Sequence, residues 1–164
     1  MFWSVLKRVL LALAIIFVAI QFVPYGWWHD NPPVVDDAPW PDAAAEGVAR
    51  SSCYACHSNE TDWPLYSYVA PMSWLVRSDV ESGRDKLNFS DWDRSEGDAD
   101  KAIEVIEDGS MPPDRFTLIH RDAGLSAEES DVLVSALLAM GGQDDSGRGG
   151  GGDNSGPGGG EDDD

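Results

Sequence analysis

Cys53-Tyr54-Ala55-Cys56-His57 contains the only two cysteines of the chain. Two thiols three positions apart lie on one side of a helical turn, where they can add to the two vinyl groups of one porphyrin. Cys-x-x-Cys-His is the attachment motif of c-type haem, and the following histidine supplies the proximal nitrogen to the iron. The motif therefore predicts one covalent haem c per chain, attached at Cys53 and Cys56, with His57 as an iron ligand.

Three other interpretations of the cysteines fit the sequence less well. A thioredoxin-like redox pair needs a βαβ context, and no buried strand pattern flanks the motif. A structural zinc site normally has four ligands, but no second cysteine pair exists, and His29 and His120 are distant in sequence. A plain structural disulfide leaves the adjoining histidine unexplained.

Composition divides the chain into four segments. Residues 1–28 are mostly apolar, and residues 29–41 are rich in proline and aspartate. Residues 141–164 are mostly Gly, Asp and Ser and have no large apolar side chain for a core, so we expect this tail to be disordered. Residues 42–140 suit one small haem-binding domain, to whose thin core a covalent haem would add apolar bulk.

Residues 1–28 have the pattern of a single transmembrane anchor. Counted from Val9 through the aromatic cluster at 25–28, the apolar run reaches about 20 residues, enough to cross a bilayer. Lys7 and Arg8 precede the run and acidic residues follow it, which predicts an inside N-terminus and a haem domain on the extracytoplasmic side of the cell membrane. No small-x-small cleavage site follows, which favours an uncleaved anchor over a signal peptide.

Prolines dominate the segment that follows the anchor. Four of them in ten residues favour extended polyproline geometry over helix. We expect residues 29–41 to hold the haem domain a short distance off the membrane. The outer side is also where c-type haem is attached, so the anchor and the haem motif agree on topology.

The haem domain is predicted to be all-α and cytochrome c-like. Helix formers follow a capping Asp42 and predict a short helix that leads into the motif. Apolar spacing predicts a helix from Pro71 that stops at Gly83, and another over 100–108 that stops at Gly109. No period-2 strand pattern occurs in the domain.

A capping box predicts the last helix. Ser126 and Glu129 have the required spacing, and the helix should run to about Met140. Its buried stripe should consist of Val132, Leu133, Ala136 and Leu137.

Met111 is the first candidate for the sixth iron ligand. It lies in Gly109-Ser110-Met111-Pro112-Pro113, where the prolines stiffen a non-helical loop after a helix. Methionine–histidine ligation is the electron-transfer pattern of cytochromes c. His120 is an alternative that would give bis-histidine ligation, and an open sixth site is a third. Packing roles are expected for Met72 and Met140.

Other side chains have open roles. Trp63, Trp74 and Trp92 could pack on the porphyrin or donate to its propionates, or could be core aromatics. Propionate charge could pair with three basic residues, which could equally be solvated: Arg77, Arg84 and Lys86.

The formal net charge of −19 excludes one class of partner. Binding to a phosphate backbone needs clustered Lys and Arg, so nucleic acid is not expected. The acidity fits either a docking surface for a basic redox partner or adaptation to high salt. With only three lysines in the chain, we favour a halophilic source.

Several motifs occur in the order found in one family. The chain resembles, from about Val18 to Leu138, the haem-binding domain family of membrane-anchored, cytochrome c-like proteins. The resemblance implies an all-α fold, covalent haem at Cys53 and Cys56, and His57 as proximal ligand. Outside the haem motif it is carried by Ile20–Pro24, Asn31-Pro32-Pro33, Ser58–Thr61, Trp63-Pro64, Tyr66-Ser67, Pro71, Ser73-Trp74, Gly83-Arg84, Leu87–Ser90 and Met111-Pro112-Pro113.

Together these features predict a membrane-anchored mono-haem cytochrome that carries single electrons between redox proteins, such as respiratory components. A haem-based sensor or gas-binding module with an open or displaceable sixth ligand is the main alternative. No enzymatic role is expected. A peroxidase would need a distal acid–base group, for which His120 is the obvious histidine.

Overall fold

The computed structural model describes residues 2–95 and 98–141. Within these ranges the chain is helical, and the one β-bridge, between Asp36 and Asp91, is isolated. The predicted all-α class is confirmed. The expected disorder of the tail concerns residues outside this part, except for Gly141, which ends the last helix. The helices are α1 Phe2–Ile20, α2 Ala43–Ser52, α3 Tyr54–His57, α4 Met72–Lys86, α5 Trp92–Ser95, α6 Ala99–Glu107, α7 Asp114–Thr117 and α8 Ala127–Gly141, with 3₁₀ turns at Leu65–Tyr68 and Arg121–Ala123.

The first helix, α1, is long and apolar enough to cross a membrane, with a mean hydropathy of 2.2. None of its side chains is buried against the rest of the protein. An apolar helix is stable in this exposed state only if lipid or another apolar phase covers it.

Side-chain caps start two helices where the sequence predicts them. The Asp42 carboxylate accepts hydrogen bonds from the backbone N–H groups of Ala44 (2.9 Å) and Ala45 (2.8 Å). At α8, the Ser126 N–H donates to Glu129 Oε2 (2.8 Å), and the Glu129 N–H donates back to Ser126 Oγ (3.3 Å). Both caps satisfy N–H groups that a helix start leaves without partners.

The predicted stop of α4 at Gly83 is wrong, because the helix continues to Lys86. Gly83 lies inside α4, where the helix passes over the Cys53–His57 turn. A Cβ atom on Gly83 would lie only 2.5 Å from the Cys56 carbonyl oxygen. The glycine is therefore required for close packing of α4 on α3 and not for ending the helix.

The buried stripe of α8 differs from the prediction at one position. Leu133, Ala136 and Leu137 are buried as expected, but Val132 is exposed and Met140 takes its place. The four buried residues follow the i, i+3, i+4, i+7 pattern of one helix face, and Val132 lies outside that face. This face packs against α2 and α6.

A stack of aromatic rings forms the centre of the core. The Phe89 ring is stacked between those of Tyr54 (centroids 5.4 Å apart) and Trp92 (6.0 Å). Trp40 lies at 5.1 Å from Phe89 and donates its indole N–H to the Tyr54 hydroxyl. The loop after α4 is thereby joined to α3, to α5 and to the segment that precedes α2.

Residues 29–41, which the prolines predict to be a spacer, are in contact with the haem domain. The Val35 N–H donates to the Ser90 carbonyl at 2.9 Å, and the Ala38 N–H donates to the Phe89 carbonyl at 2.8 Å. Ala38 is buried in the core. The segment forms no helix, as expected, and it lies along the domain because its peptide groups pair with the 89–90 loop.

Replacement of Gly83 by alanine should destabilise the domain. The added Cβ would collide with the Cys56 carbonyl, so we expect a loss of about 1–3 kcal/mol in the free energy of unfolding, typical of overpacking. Gly47→Ala is the matched control, since nothing lies within 4 Å of that Cβ position in α2, and it should be neutral or stabilising by about 0.5–1 kcal/mol. Urea unfolding of the haem-loaded protein measures both; equal stability of the two variants would contradict the packing argument.

Candidate haem site

The two cysteines are presented by a single helical turn. Cys53 ends α2 and begins α3, and its carbonyl accepts hydrogen bonds from the N–H groups of Cys56 (3.1 Å) and His57 (2.9 Å). Both thiols are half-buried. Burial raises the pKa of Cys53 to about 12 and that of Cys56 to about 11. Such thiols are protonated at neutral pH, unlike the thiolate of an exchange-active redox pair.

The His57 ring is oriented by the loop that follows α4. Its Nδ1 lies 3.0 Å from the Leu87 carbonyl oxygen. A carbonyl only accepts hydrogen bonds, so Nδ1 carries the proton and Nε2 keeps a free lone pair. Burial lowers the pKa of His57, although hydrogen bonds to the backbone oppose the shift. A neutral imidazole with a free Nε2 is the form that binds a metal, and a backbone carbonyl on the other nitrogen is the usual means of fixing it.

A buried polar network holds this loop in position. The Asn88 amide donates to Asn59 Oδ1 (3.0 Å) and accepts from the Ser90 N–H (3.0 Å). The Phe89 N–H, between them, donates to the His57 carbonyl (2.8 Å). No local pattern in the sequence indicates this network, because its polar residues are far apart along the chain. The family resemblance does include Leu87–Ser90.

One cavity of about 290 Å³ contains the motif side chains and Met111 in its walls. Cys53, Cys56 and His57 come from the α3 turn, whereas Met111 belongs to the loop between α6 and α7. Most of the other lining residues are apolar. They include Trp40, Leu87, Phe89, Ala102, Ile106, Pro112, Pro113, Phe116, Leu125, Leu133 and Leu137.

The loop that carries Met111 is tied to the end of α6. The Met111 N–H donates to the Val105 carbonyl at 3.0 Å. The Ser110 N–H donates to Asp108 Oδ1 at 2.8 Å. Two prolines follow and also line the cavity. The backbone at Met111 is therefore held on both sides.

The competing ligand, His120, does not line the cavity. Its Nε2 lies 2.6 Å from the Tyr66 hydroxyl, and its ring is stacked on Phe116, with 4.6 Å between the centroids. Burial raises the pKa of Tyr66, which keeps the phenol protonated. His120 Nε2 is thus engaged in a hydrogen bond with the phenol.

Most of the Trp, Arg and Lys residues with a possible role beside the porphyrin do not line the cavity. Lys86 lines the cavity, but Arg84 donates to the Ser58 carbonyl and Arg77 donates to Glu81. Trp63, Trp74 and Trp92 do not line it. The lining tryptophan is Trp40, which the sequence assigns to the spacer.

An ion pair that the sequence did not predict spans the cavity rim. Arg115 Nη2 of α7 lies 2.8 Å from Asp79 Oδ1 of α4, and both residues line the cavity. The pair is partly exposed, so its contribution to stability is small. The pair connects α7, which follows the Met111 loop, with α4, which packs against the Cys56 turn. Nothing in the local sequence marks two residues 36 positions apart as partners.

The family profile described as "Haem-binding domain" matches residues 15–138. The chain belongs to the haem-binding domain family. It is also similar to cytochrome c peroxidase Ccp of Escherichia coli (strain K12), with 26% identity over 119 residues, which are 64% of this chain and 26% of that protein. The chain thus spans about a quarter of the length of this relative. No solved structure matches the chain.

The cavity suits the ligand of this family. A neutral imidazole with a free Nε2, two adjacent thiols and a thioether face a mostly apolar space. These groups could hold the haem iron and its two vinyl groups.

Asn88→Ala should destabilise the haem-loaded protein. The change leaves the buried Ser90 N–H and Asn59 Oδ1 without partners, so we expect a loss of about 2 kcal/mol or more in the free energy of unfolding. Ser78→Ala, at an exposed position of α4, is the control and should be within about 0.5 kcal/mol of the parent. Urea unfolding gives both values; a neutral Asn88 variant would show that the network does not support the loop.

Proposed function

We propose that this protein is a membrane-anchored mono-haem c-type cytochrome, which carries single electrons on the outer face of the membrane. Cys53 and Cys56 attach the haem, His57 is the proximal ligand and Met111 is the sixth ligand. Its partners are redox proteins, such as respiratory components. The observation that carries the proposal is that one mostly apolar cavity is lined by all four of these side chains.

Haem c, when bound, supplies an iron centre that accepts and releases one electron. Attachment needs no net oxidation, since each thiol S–H adds across one vinyl double bond. The Leu87 carbonyl holds the proton of His57 on Nδ1, so that Nε2 is available to the iron. The apolar walls limit the access of water to the iron, and this tunes the redox potential of the haem.

The geometry supports Met111 over His120 as the sixth ligand. Met111 lines the cavity, on a loop held by the Val105 carbonyl. His120 lies outside the lining, with Nε2 engaged by Tyr66. Ligation through His120 Nε2 would require that hydrogen bond to break.

The membrane part of the proposal depends on α1. Its length and composition suit one span, and Lys7 and Arg8 near its N-terminal end favour retention of that end inside. The haem domain would then lie outside.

A peroxidase is the second candidate, because the chain is similar to a cytochrome c peroxidase over 119 residues. Peroxide cleavage needs an acid–base group beside the open face of the haem. Among the described residues, His57 lines the cavity but is the proposed proximal ligand, and the other nearby histidine, His120, contacts Phe116 of the lining rather than the cavity itself. The geometry therefore favours the electron carrier.

Removal of the Met111 thioether should open the sixth position. The haem-loaded parent should show a low-spin ferric spectrum with a sulfur-to-iron charge-transfer band, and its reduced form should not bind CO. Met111→Ala should lose the band and bind CO, whereas the core variant Met140→Leu should keep the parent spectrum. CO binding by the parent would overturn the carrier proposal and favour a sensor.

Peroxide turnover separates the carrier from the peroxidase. We expect slow turnover by the parent that does not fall in His120→Ala, because His120 does not line the cavity. Tyr66→Phe, which removes only the hydroxyl that contacts His120, is the matched control. A loss of about 100-fold or more in His120→Ala alone would identify a general acid–base and establish the enzyme.

A further inference from the structure

The end of the apolar helix is bound directly to the haem domain. Residues 2–19 of α1 are exposed, and contact with the domain begins just after the helix. There the Gln21 side chain pairs with both backbone groups of Ala70: its Nε2 donates to the carbonyl (3.1 Å), and its Oε1 accepts from the N–H (2.9 Å). The 3₁₀ turn at Leu65–Tyr68 is followed by Val69 and then by Ala70.

The next residues add further contacts, so the connection is not a flexible tether. Gly26 has a φ of 88° and approaches α4 so closely that a Cβ atom would lie 2.8 Å from the Ser73 carbonyl carbon and oxygen. The Arg77 guanidinium donates to the Trp28 carbonyl at 3.0 Å. His29 is stacked on Tyr68, with 3.9 Å between the ring centroids. These contacts fix the 3₁₀ turn beside the end of α1.

Exposed apolar side chains are concentrated at this junction. Leu65 is 89% exposed, Phe22 is 74% exposed, and Tyr68 and Val69 are largely exposed as well. Trp27 and Trp28 are half-exposed on the same segment. We call residues 21–28 together with 65–69 the bilayer face.

The two segments of the bilayer face contain no charged residue, in a chain with a net charge of −19, although Arg77 and Glu81 of α4 contact Trp28 and Tyr25 at its edge. No Asp, Glu, Lys or Arg occurs in residues 9–29 or 64–76. Carboxylates would be repelled by anionic lipid and are costly to desolvate. Their exclusion from these two segments, which are distant in sequence but adjacent in the structure, matches a lipid surface.

The length of α1 brings this face down to the membrane. The 19 residues of α1 span about 28 Å, close to the thickness of the hydrocarbon core, which is about 30 Å. Lys7 and Arg8 can snorkel toward the inner surface. The segment after Ile20 then lies in the outer membrane interface, where aromatic residues are favoured.

We propose that the haem domain docks on the bilayer through the bilayer face, with Leu65, Tyr68 and Val69 inserted at the interface beside Phe22, Trp27 and Trp28. The inference rests on the membrane anchoring in the proposed function. Docking would hold the haem cavity at one height and tilt above the lipid. Electron exchange would then favour partners that are themselves embedded in the same membrane.

Photo-crosslinking to lipid tests the docking in the full-length, haem-loaded protein in vesicles. Three variants are compared, each with one benzoylphenylalanine, in place of Leu65 on the bilayer face, Leu11 in α1 or Leu138 in α8. Leu138 is the matched control, an exposed leucine on α8, which packs against α2 and α6. Lipid adducts at residue 65 should exceed those at 138 by about tenfold, since an inserted side chain meets acyl chains. Gln21→Ala should reduce the adducts at residue 65 and leave those at residue 11 unchanged.

The outcomes separate the docking from the anchor. Lipid adducts at residue 11 but not at 65 would overturn the docking and leave the anchor intact. An absence of adducts at residue 11 would overturn the anchoring itself. Adducts at residue 65 to a second copy of the chain, in place of lipid, would identify the face as a self-association surface and also overturn the docking.

Discussion

The hydrogen bond between His57 Nδ1 and the Leu87 carbonyl is the interaction on which the site depends. It selects the tautomer with a free Nε2, and it requires the loop after α4 to lie directly beside the α3 turn. That proximity exists because α4 passes over Cys56 with no side chain in between, at Gly83. The buried Asn88–Asn59 pair then holds the loop against the turn. One orienting contact thus explains why a glycine, an asparagine pair and a loop carbonyl occur where they do.

The cavity is assembled from parts of the chain that are far apart. The α3 turn provides the cysteines and the histidine, the 109–113 loop provides the thioether, and α8 provides a leucine wall. Trp40 arrives from a segment whose prolines suggest only a linker. Its peptide neighbours pair with the 89–90 loop, so a stretch that looks like a spacer in the sequence completes both the aromatic core and the cavity wall.

The end of α1 is likewise surrounded by segments that are far apart in the sequence. A chain with so many acidic residues keeps two separated segments free of charge, and the fold brings these segments together at the end of α1. The Gln21–Ala70 pairing satisfies both backbone groups of a buried residue. The helix α1 and the haem domain are thereby connected through specific contacts rather than through an extended tether.

By itself the sequence determined the local features of this protein. The Cys-x-x-Cys-His motif, the apolar first helix, the Asp42 cap and the Ser126–Glu129 capping box all depend on residues within a few positions of one another, so spacing alone indicates them. The predictions from local spacing are wrong at Gly83 and Val132. A glycine within a helix can serve close packing as well as termination, and the buried face of α8 depends on where α2 and α6 lie. Only the tertiary structure decided which carbonyl orients His57, that Met111 and not His120 lines the cavity, and that residues 29–41 lie along the domain. These outcomes depend on contacts between residues some 30 or more positions apart. Such contacts leave no local signal in the sequence, because packing and backbone hydrogen bonding select the partners rather than residue type.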